Sequence, residues 1–346
     1  MIVTGSHLLK DHGMTINEIK KDGFKISSKF SMYERNRIDS GVGMIKSLGK
    51  CIIKLSTILE KEKPDIILAG FDIGANLAVA IAGAHMNIIV AHVEGGDVTG
   101  TIDESIRHAI TKFSHIHFTS NKEASKRIIK MGENPKYVFT VGSPVIDSMI
   151  TTPHISNKKL SKKFGLDFSK PFVLILQHTV TSEINKIDQY IKNTLSAIKE
   201  ENIQAIIIYG NADAGSQKIS RIIKNSKINQ VSTTNFDEYI NLLKRSLALV
   251  GNSSSGIIET PFLHIPTINI GTRQQGRLKA KNILDVKYDK NEIKNALKKL
   301  QFDEKFLKKV ENCKSLHGNG NASKKIIKVL EDIDLTSISP QKMITY

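Results

Sequence analysis

The chain has 346 residues, 40% of them hydrophobic, which is enough for one large or two ordinary domains and too much for a disordered protein. Its net charge of +16 would suit a nucleic-acid binder, but no nucleic-acid-binding motif is present, and with no Trp and only 6% aromatic residues few side chains could stack on bases. The composition therefore favours a protein whose positive field attracts a smaller anion, such as a nucleotide diphosphate, and disfavours a nucleic-acid partner.

Cysteine and histidine spacing indicates neither disulfides nor a metal site. Cys51 and Cys313 lie far apart and neither belongs to a Cys-x-x-Cys pair. The histidines between His92 and His117 match no zinc motif, so we interpret them as structural. No apolar run is long enough to span a bilayer and no signal peptide opens the chain. We expect a cytoplasmic protein with reduced thiols, no metal and no membrane partner.

The first part of the chain alternates short apolar runs with helical patterns. The predicted elements are a strand within MIVTGSH (1–7), a helix over 46–61, a strand over 64–70, a small-residue helix over 76–84, a strand over 88–93, a helical pattern over 109–118 that overlaps a strand over 115–119, a helix over 122–131 and a strand over 137–140. Such alternation is typical of a parallel, doubly wound sheet covered by helices.

Polar, lysine-rich sequence over 151–170 breaks this pattern, and we place a domain boundary there, between residues 155 and 156. A second series then follows, with strands over 172–177, 205–209, 248–250 and 267–270, and helices over 184–200, 239–245, from 255 to 261, 291–300 and 322–333. The sequence thus predicts an α/β protein with two Rossmann-like domains facing a cleft, over residues 1–155 and 156–320. Residues 321–346 are predicted to form a helix that could pack back on the first domain, and a loosely held polar tail.

The most highly charged segment is HVEGGDVTGTIDESIRH (92–108), which follows a predicted strand as a glycine-rich loop and a helix start. A solvated loop with a helix cap would explain its acidic residues as well as a functional site would, because acids are common in a first helical turn. Other polar residues also fall at strand ends, where doubly wound sheets bind ligands. They are His7, Asp72, His178, Asn211 with Asp213, Ser253–Ser255 and Arg273.

The segment GNSSSG (251–256) lies between a predicted strand and a helix, where backbone N–H groups and hydroxyls can hold phosphate. A helix cap needs one serine and not three in a row, so we favour anion binding. Glu259, one turn later, is placed to accept hydrogen bonds from a ribose diol. Arg273 is a fork-shaped donor suited to phosphate, although taken alone it is better explained as a solvated loop arginine. His178 is a candidate acid, base or phosphate donor, and the alternative is a hydrogen-bonded core histidine.

Five blocks in this order resemble the hydrolysing UDP-N-acetylglucosamine 2-epimerases: HVEGGDVTGTIDESIRHAITKFSHIHF, LQHTVTSEI, YGNADAGS, GNSSSGIIETPFLHIPTINIGTRQQGR and HGNGNAS. The resemblance runs from Met1 to about Ile333. It implies two Rossmann-like domains in the glycosyltransferase-B arrangement, a UDP-sugar as substrate, no cofactor, and a homodimer or homotetramer. The implied reaction removes the C2 proton as UDP leaves, giving 2-acetamidoglucal, and then adds water to release N-acetylmannosamine for sialic-acid-type sugars.

The resemblance also implies roles for particular residues. The expected catalytic residues are the carboxylates of Asp72, Glu94 and Asp103, together with Arg107, His178 and His7. The expected UDP-binding residues are Ser253, Ser254, Ser255, Gly256, Glu259, Arg273, Asn211 and Asp213. Arg107 stands one helical turn after Asp103 and could fix the orientation of that acid. Which carboxylate is the base stays open.

The chain departs from the family pattern in two places. The family normally begins with a further strand, a glycine-arginine loop and a helix, about 30 residues in all, so we expect the first strand to be missing here. Where the family often reads Gly-Asp-Arg, this chain reads Gly70-Phe71-Asp72-Ile73, which keeps the acid and replaces the arginine. The alternatives are a UDP-linked diacetamido-trideoxy sugar of legionaminic-acid synthesis as substrate, a non-hydrolysing epimerase, and a protein that binds UDP-sugar without turnover.

Overall fold

The computed structural model describes residues 1–345 except residues 11–12, 34–39, 72–73, 210–214, 227 and 232–233. By their internal contacts the residues divide into two units. Unit 1 comprises Met1–Leu9, Met14–Asp147 and His317–Tyr346, and unit 2 comprises Lys10–Gly13 and Ser148–Leu316. The main chain therefore leaves unit 1 after Asp147 and returns to it at His317. The domain boundaries predicted from the sequence lie after residues 155 and 320.

The helices and strands follow one another in the order of an α/β protein. Up to the crossing into unit 2 they are β1 Ile2–Val3, α1 Ile16–Lys21, β2 Ser28–Lys29, α2 Gly41–Glu62, β3 Ile66–Gly70, α3 Gly74–His85, β4 Ile89–Val93, α4 Ile102–Phe113, β5 Ile116–Thr119, α5 Lys122–Lys130, β6 Val138–Thr140 and α6 Pro144–Thr151. The next are α7 Asn157–Phe164, β7 Phe172–Leu176, α8 Ile187–Glu200, β8 Gln204–Ile208, α9 Ser216–Lys224, β9 Asn229–Val231, α10 Phe236–Leu243, β10 Ala248–Gly251, α11 Ser255–Leu263, β11 Thr267–Ile270, β12 Ile283–Val286, α12 Lys290–Phe302 and α13 Glu304–Glu311. The last is α14, Ala322–Asp332.

In unit 1, β3, β4, β5 and β6 pair in that order as a parallel sheet, and β1 and β2 form a separate parallel pair. Both faces of β4 are buried, as expected of a strand inside a parallel sheet. Ile89 and Ala91 pack in a cluster with α14, while Val90 packs on the opposite face in a cluster with α3 and α4. The sheet thus fixes the position of α4, which follows β4 directly.

In unit 2, the described strands pair in the order β12-β11-β10-β7-β8-β9, all of them parallel. In chain order within the unit this is 3-2-1-4-5-6, the strand order of a Rossmann fold. Val173 and Ile175 face a cluster with α8 and α12, and Leu174 faces one with α7 and α10. The strand order reverses between β7 and β10, which makes their carboxyl ends the place where such a sheet binds its ligand.

The predicted α/β class with parallel sheets is confirmed, but two local predictions were wrong. The lysine-rich stretch over 151–170 contains α7, in which Ser156 caps the helix at Lys159 N, Leu160 and Phe164 are buried, and Gly165 ends the helix. Only residues 109–113 of the helical pattern predicted over 109–118 are helical, as the end of α4, and residues 116–118 belong to β5. No helix in the described part of the chain is both long and apolar enough to cross a membrane.

The tail after α14 was predicted to be loosely held, and this was also wrong. Its Ile338 is 5% exposed and belongs to the same apolar cluster as Ile89 and Phe118. Farther on, Thr345 N donates a hydrogen bond of 2.9 Å to Gly132 O. One buried isoleucine in a mostly polar segment and a backbone hydrogen bond leave no periodic pattern from which these contacts could be predicted.

Gly251, at the end of β10, offers a test of how closely the two central strands approach. Its φ is 139°, and a Cβ there would lie 2.0 Å from Leu176 O, a backbone atom that cannot move away cheaply. We expect Gly251→Ala to lower the free energy of unfolding by about 2 kcal/mol or more, from overpacking and backbone strain together.

The measurement is chemical denaturation, with Gly49→Ala in α2 as the control. A Cβ at Gly49 would have no heavy atom within 4 Å, so alanine there should be neutral or stabilising. Equal stability of the two variants would contradict the close approach of β7 and β10.

Candidate active site

The loop after β4, residues 94–101, starts with a sharp turn at Glu94. This residue has φ of 63°, in the region that favours glycine, and its N–H donates to Phe118 O at 2.7 Å. Its half-buried carboxylate accepts a hydrogen bond from Ser143 Oγ. Gly96 follows with φ of 83°, where a Cβ would lie 2.5 Å from Ala124 O. Glu94 is therefore held by backbone and side chain at the carboxyl end of the sheet.

The same loop leads into α4, whose first turn carries Asp103 and Glu104. Thr101 caps the helix by accepting a hydrogen bond from Asp103 N, and Glu104 accepts one of 2.9 Å from Thr99 N. Glu104 thus stabilises the turn. The half-buried carboxylate of Asp103 lies where the helix dipole favours a negative charge.

Arg107 is 3% exposed, and its Nη1 donates to the backbone oxygen of Asp97 at 3.0 Å. Asp97 itself is buried. Its Oδ1 accepts from Asn121 Nδ2 at 3.2 Å, and its Oδ2 lies 3.9 Å from His317 Nε2. The His317 backbone oxygen in turn accepts from Ser143 N. The returning segment at His317 therefore connects Asp97 to Ser143, the residue that contacts Glu94.

Asp97, Ser143 and His317 did not belong to the predicted site. His317 opens the block HGNGNAS, so that block was the available signal, but Ser143 had none. His7 is exposed, and its Nδ1 lies 2.8 Å from Thr15 Oγ1. Asp72, Asn211 and Asp213 lie outside the described residues.

In unit 2, the side chain of Asn252 joins the loops that follow β7 and β10. Its Oδ1 accepts a hydrogen bond of 2.7 Å from His178 N, and its Nδ2 donates one of 3.0 Å to His178 O. Its backbone N–H donates to Leu176 O at 3.0 Å. Because Asn252 is fully buried, these bonds fix both loops at the point where the strand order reverses.

His178, whose backbone is bonded by Asn252, is 9% exposed. Burial and, to a smaller extent, the positive charge of Arg273 together lower its pKa to about 3. The imidazole is therefore neutral near pH 7. A neutral imidazole can donate one hydrogen bond and accept another, so His178 can bind a phosphate oxygen as a donor without being a cation.

The loop after β11 reaches the same place. Arg273 Nη1 and Gln274 Nε2 both donate to Asn252 O, at 3.2 and 2.8 Å. Among the described residues, buried polar atoms without a hydrogen-bond partner include Gln177 Oε1, Thr179 Oγ1 and Gln274 Oε1. Buried polar atoms usually have partners, so an unsatisfied group beside the carboxyl ends of β7 and β10 fits a ligand-binding position.

The serines at the start of α11 differ in their surroundings. Ser253 Oγ accepts from Ser255 N at 3.3 Å, and the side chain of Ser254 makes no capping bond although it stands at the N-cap. Ser255 is 6% exposed, and its hydroxyl contacts the Tyr239 hydroxyl. Burial and the charge of Glu259 both raise the pKa of Tyr239. Ser255 therefore faces the interior beside Glu259.

The sequence profile of the UDP-N-acetylglucosamine 2-epimerases matches residues 1–331. The chain belongs to this family. It is 33% identical to the UDP-N,N′-diacetylbacillosamine 2-epimerase (hydrolyzing) of Legionella pneumophila over 97% of this chain and 88% of that one. It is also 33% identical to the UDP-N-acetylglucosamine 2-epimerase of Neisseria meningitidis serogroup B, over 86% and 78%. The resemblance drawn from the five blocks is thus confirmed.

A crystal structure of the Neisseria meningitidis UDP-GlcNAc 2-epimerase bound to UDP-GlcNAc aligns with this chain at a TM-score of 0.82 and 18% identity. The alignment covers 96% of this chain and 91% of that one. At this identity the likeness concerns the fold. The chain therefore has the same fold as that solved structure.

The buried histidines predict how stability depends on pH. Burial lowers the pKa of His92 and of His178 to about 3, whereas an unfolded histidine titrates near 6.5. Between these values the unfolded chain binds more protons, so the free energy of unfolding should fall as pH drops below 6.5. Each histidine can contribute up to about 1.4 kcal/mol per pH unit.

Urea denaturation between pH 7 and 5 measures this slope. In His178→Asn the free energy of unfolding should fall less steeply with decreasing pH, by the contribution of one histidine. This holds whatever the overall stability of the variant. A slope identical to that of the wild type would mean that His178 titrates normally in the folded protein.

Proposed function

We propose that this enzyme is a hydrolysing 2-epimerase that converts UDP-N-acetylglucosamine and water to N-acetylmannosamine and UDP through 2-acetamidoglucal, without a cofactor. The observation that carries the proposal is the family match over residues 1–331. The name of the Neisseria meningitidis relative supports the substrate, and that of the Legionella pneumophila relative supports hydrolysis. We further expect a cytoplasmic location and a homodimer or homotetramer. Light scattering would measure the molar mass and hence the oligomeric state.

The carboxylates of unit 1 suit the proton transfers. In the first step a carboxylate removes the C2 proton, the C2–H electron pair forms the C1=C2 bond, and the C1–O bond breaks with its electrons leaving on UDP. In the second step water adds to C1 and a proton returns to C2 on the opposite face. Inversion therefore needs acid–base groups on both faces of the ring. Glu94, held by Ser143, and Asp103, in the first turn of α4, are the described candidates.

Unit 2 suits the leaving group. Departure of UDP places negative charge on the diphosphate, and fixed donors stabilise that charge best when they need no rearrangement. Arg273 is fixed by its bond to Asn252 O and supplies a fork of charged donors. The hydroxyls of Ser253 and Ser254 and the neutral imidazole of His178 add further donors at the start of α11. We expect Glu259, one turn into α11, to accept hydrogen bonds from the ribose.

A second substrate is favoured by a specific observation. The Legionella pneumophila relative is named for UDP-N,N′-diacetylbacillosamine and matches 97% of this chain. This chain also lacks the arginine of the family's Gly-Asp-Arg segment at residues 70–73. The reaction on that diacetamido-trideoxy sugar would be the same, because the sugars differ away from C1 and C2.

Incubation with each UDP-sugar in D₂O, followed by NMR, tests the proposal. Release of UDP and a free 2-epimeric sugar with deuterium at C2 is the expected result, and the faster substrate identifies the sugar. A UDP-linked epimer would instead indicate a non-hydrolysing epimerase. Binding of both UDP-sugars without turnover would overturn the enzyme proposal in favour of a binding protein.

Asp103→Asn should lower kcat by about 10²- to 10⁴-fold, the usual contribution of a general acid or base. The affinity for UDP should stay within about twofold. The control is Glu123→Gln, which removes an exposed carboxylate that pairs with Lys126 on α5 and should leave kcat unchanged. A kcat near the wild-type value in Asp103→Asn would remove Asp103 from the mechanism.

Arg273→Met should weaken UDP binding by about 10- to 100-fold, because a hydrogen bond to a charged group contributes about 1.5–3 kcal/mol. Isothermal titration with UDP gives the affinity. Lys281→Met removes an exposed cation from the same stretch of chain and serves as the control for net charge. If both variants bind UDP equally well, Arg273 does not contact the diphosphate.

A further inference from the structure

The last residues of the chain form a strap, residues 338–345, that lies on unit 1. His115 Nε2 hydrogen-bonds Pro340 O at 3.0 Å, and Thr345 N donates to Gly132 O. Gly132 leaves room for the strap, since a Cβ there would lie 2.2 Å from Ile344 Cγ1. These backbone and side-chain contacts give the strap a defined position on unit 1.

Lys342 is the most engaged side chain of the strap. Its Nζ donates to Thr111 O at 3.1 Å and to Ser114 O at 2.7 Å, and it also bonds the Glu133 carboxylate. An ammonium has three N–H donors, so these acceptors use all of them. Thr111 O and Ser114 O lie at the carboxyl end of α4. Lys342 therefore places a positive charge where the helix dipole is negative.

Glu133 gives the strap an electrostatic anchor. It is 3% exposed, and Lys112 Nζ and His117 Nε2 approach it at 2.7 and 3.2 Å. Burial raises the pKa of Glu133, but hydrogen bonds from His117, Lys112 and Lys342 bring it down to about 2. The carboxylate is therefore charged, and removing Lys342 would leave a buried anion short of a partner, which is strongly unfavourable.

The other end of α4 carries the chemistry of the proposed function. The helix has 12 residues and is thus about 18 Å long, with Asp103 and Arg107 in its first half. Thr101 caps its first turn, and the strap closes its last turn. A short helix with both ends fixed cannot slide along its axis without breaking one set of bonds.

We propose that Lys342 is a positioning residue: by bonding Glu133 and the last carbonyls of α4, it sets the position of that helix and hence of Asp103 and Arg107. The inference rests on the proposed function, because it assigns Asp103 to the reaction. A displacement of about 1 Å at a catalytic group can cost about 100-fold in rate. The strap would then influence kcat without touching the substrate.

The test compares Lys342→Met, which keeps the apolar stem and loses the charge, with Lys328→Met on α14. Lys328 is exposed, so it controls for the loss of one lysine in unit 1. Hydrogen exchange of a peptide over 97–107 reports on the first turn of α4, and steady-state kinetics with the UDP-sugar separates kcat from KM.

We expect Lys342→Met to speed exchange over 97–107 and to lower kcat by about 10- to 100-fold. UDP affinity should stay within about twofold, because the expected UDP-binding residues are in unit 2. Lys342→Arg should recover part of the loss, since it restores the charge. Lys328→Met should match the wild type throughout.

Unchanged exchange over 97–107 with unchanged kcat in a folded Lys342→Met variant would overturn the inference. Exchange that rises equally throughout unit 1 would also overturn it, because Lys342 would then only stabilise the unit. If the wild-type enzyme itself shows no turnover, the proposed function is what fails. The exchange rates over 97–107 then still decide whether Lys342 holds the first turn of α4.

Discussion

The loops at the carboxyl ends of the unit 2 strands depend on a single buried amide side chain, that of Asn252. The side chain of Asn252 hydrogen-bonds both the N–H and the carbonyl oxygen of His178. Its own backbone oxygen accepts hydrogen bonds from the side chains of Arg273 and Gln274. Without it, the ends of β7, β10 and β11 would each have to satisfy their polar groups separately in a place from which water is largely excluded. Because these bonds are made within the protein, the donors are in place before a ligand arrives, and little ordering remains to be done on binding.

The acidic residues of unit 1 differ in their hydrogen-bond partners and in their burial. Glu104 accepts from a backbone amide and Asp97 from Asn121, which stabilises the loop after β4. Glu133 accepts from Lys112, His117 and Lys342, which joins α4, β5 and the strap. Glu94 and Asp103 are half-buried and stand at a turn end and a helix start. A sequence shows all of these simply as carboxylates. The structure adds which backbone and side-chain groups each carboxylate contacts.

Much of the fold could be predicted from the sequence, because buried parallel strands are short apolar runs and the loops after them carry glycine and polar residues. The strand at 267–270 was predicted to the residue, and the strands at β4 and β7 to within one residue at an end. Helix α7 was missed because its exposed lysines outnumber the two buried side chains that define its apolar face. The strap was missed because one buried isoleucine, one lysine and backbone atoms hold it, and these leave no periodic pattern.

The candidate site was predictable where a motif surrounds it and not where distant segments meet. The blocks around Glu94, Asp103, Ser253 and Arg273 are local and could be read directly. Asn252 and Gln274 lay inside such blocks, but their roles depend on side-chain geometry that spacing does not encode. Ser143 and His317 are 174 positions apart by their numbers, and only the returning chain brings them together.

That return has a consequence for how the protein is made. The face of β4 and β5 that bears Ile89 and Phe118 is covered by Ile326 and Ile338, which the ribosome delivers after the whole of unit 2. Domains tend to fold as units while they emerge, and exposed apolar surface invites aggregation during synthesis. Unit 2 can thus complete its sheet first, while unit 1 must wait with an uncovered face. The half that begins the sequence is the half that finishes folding last.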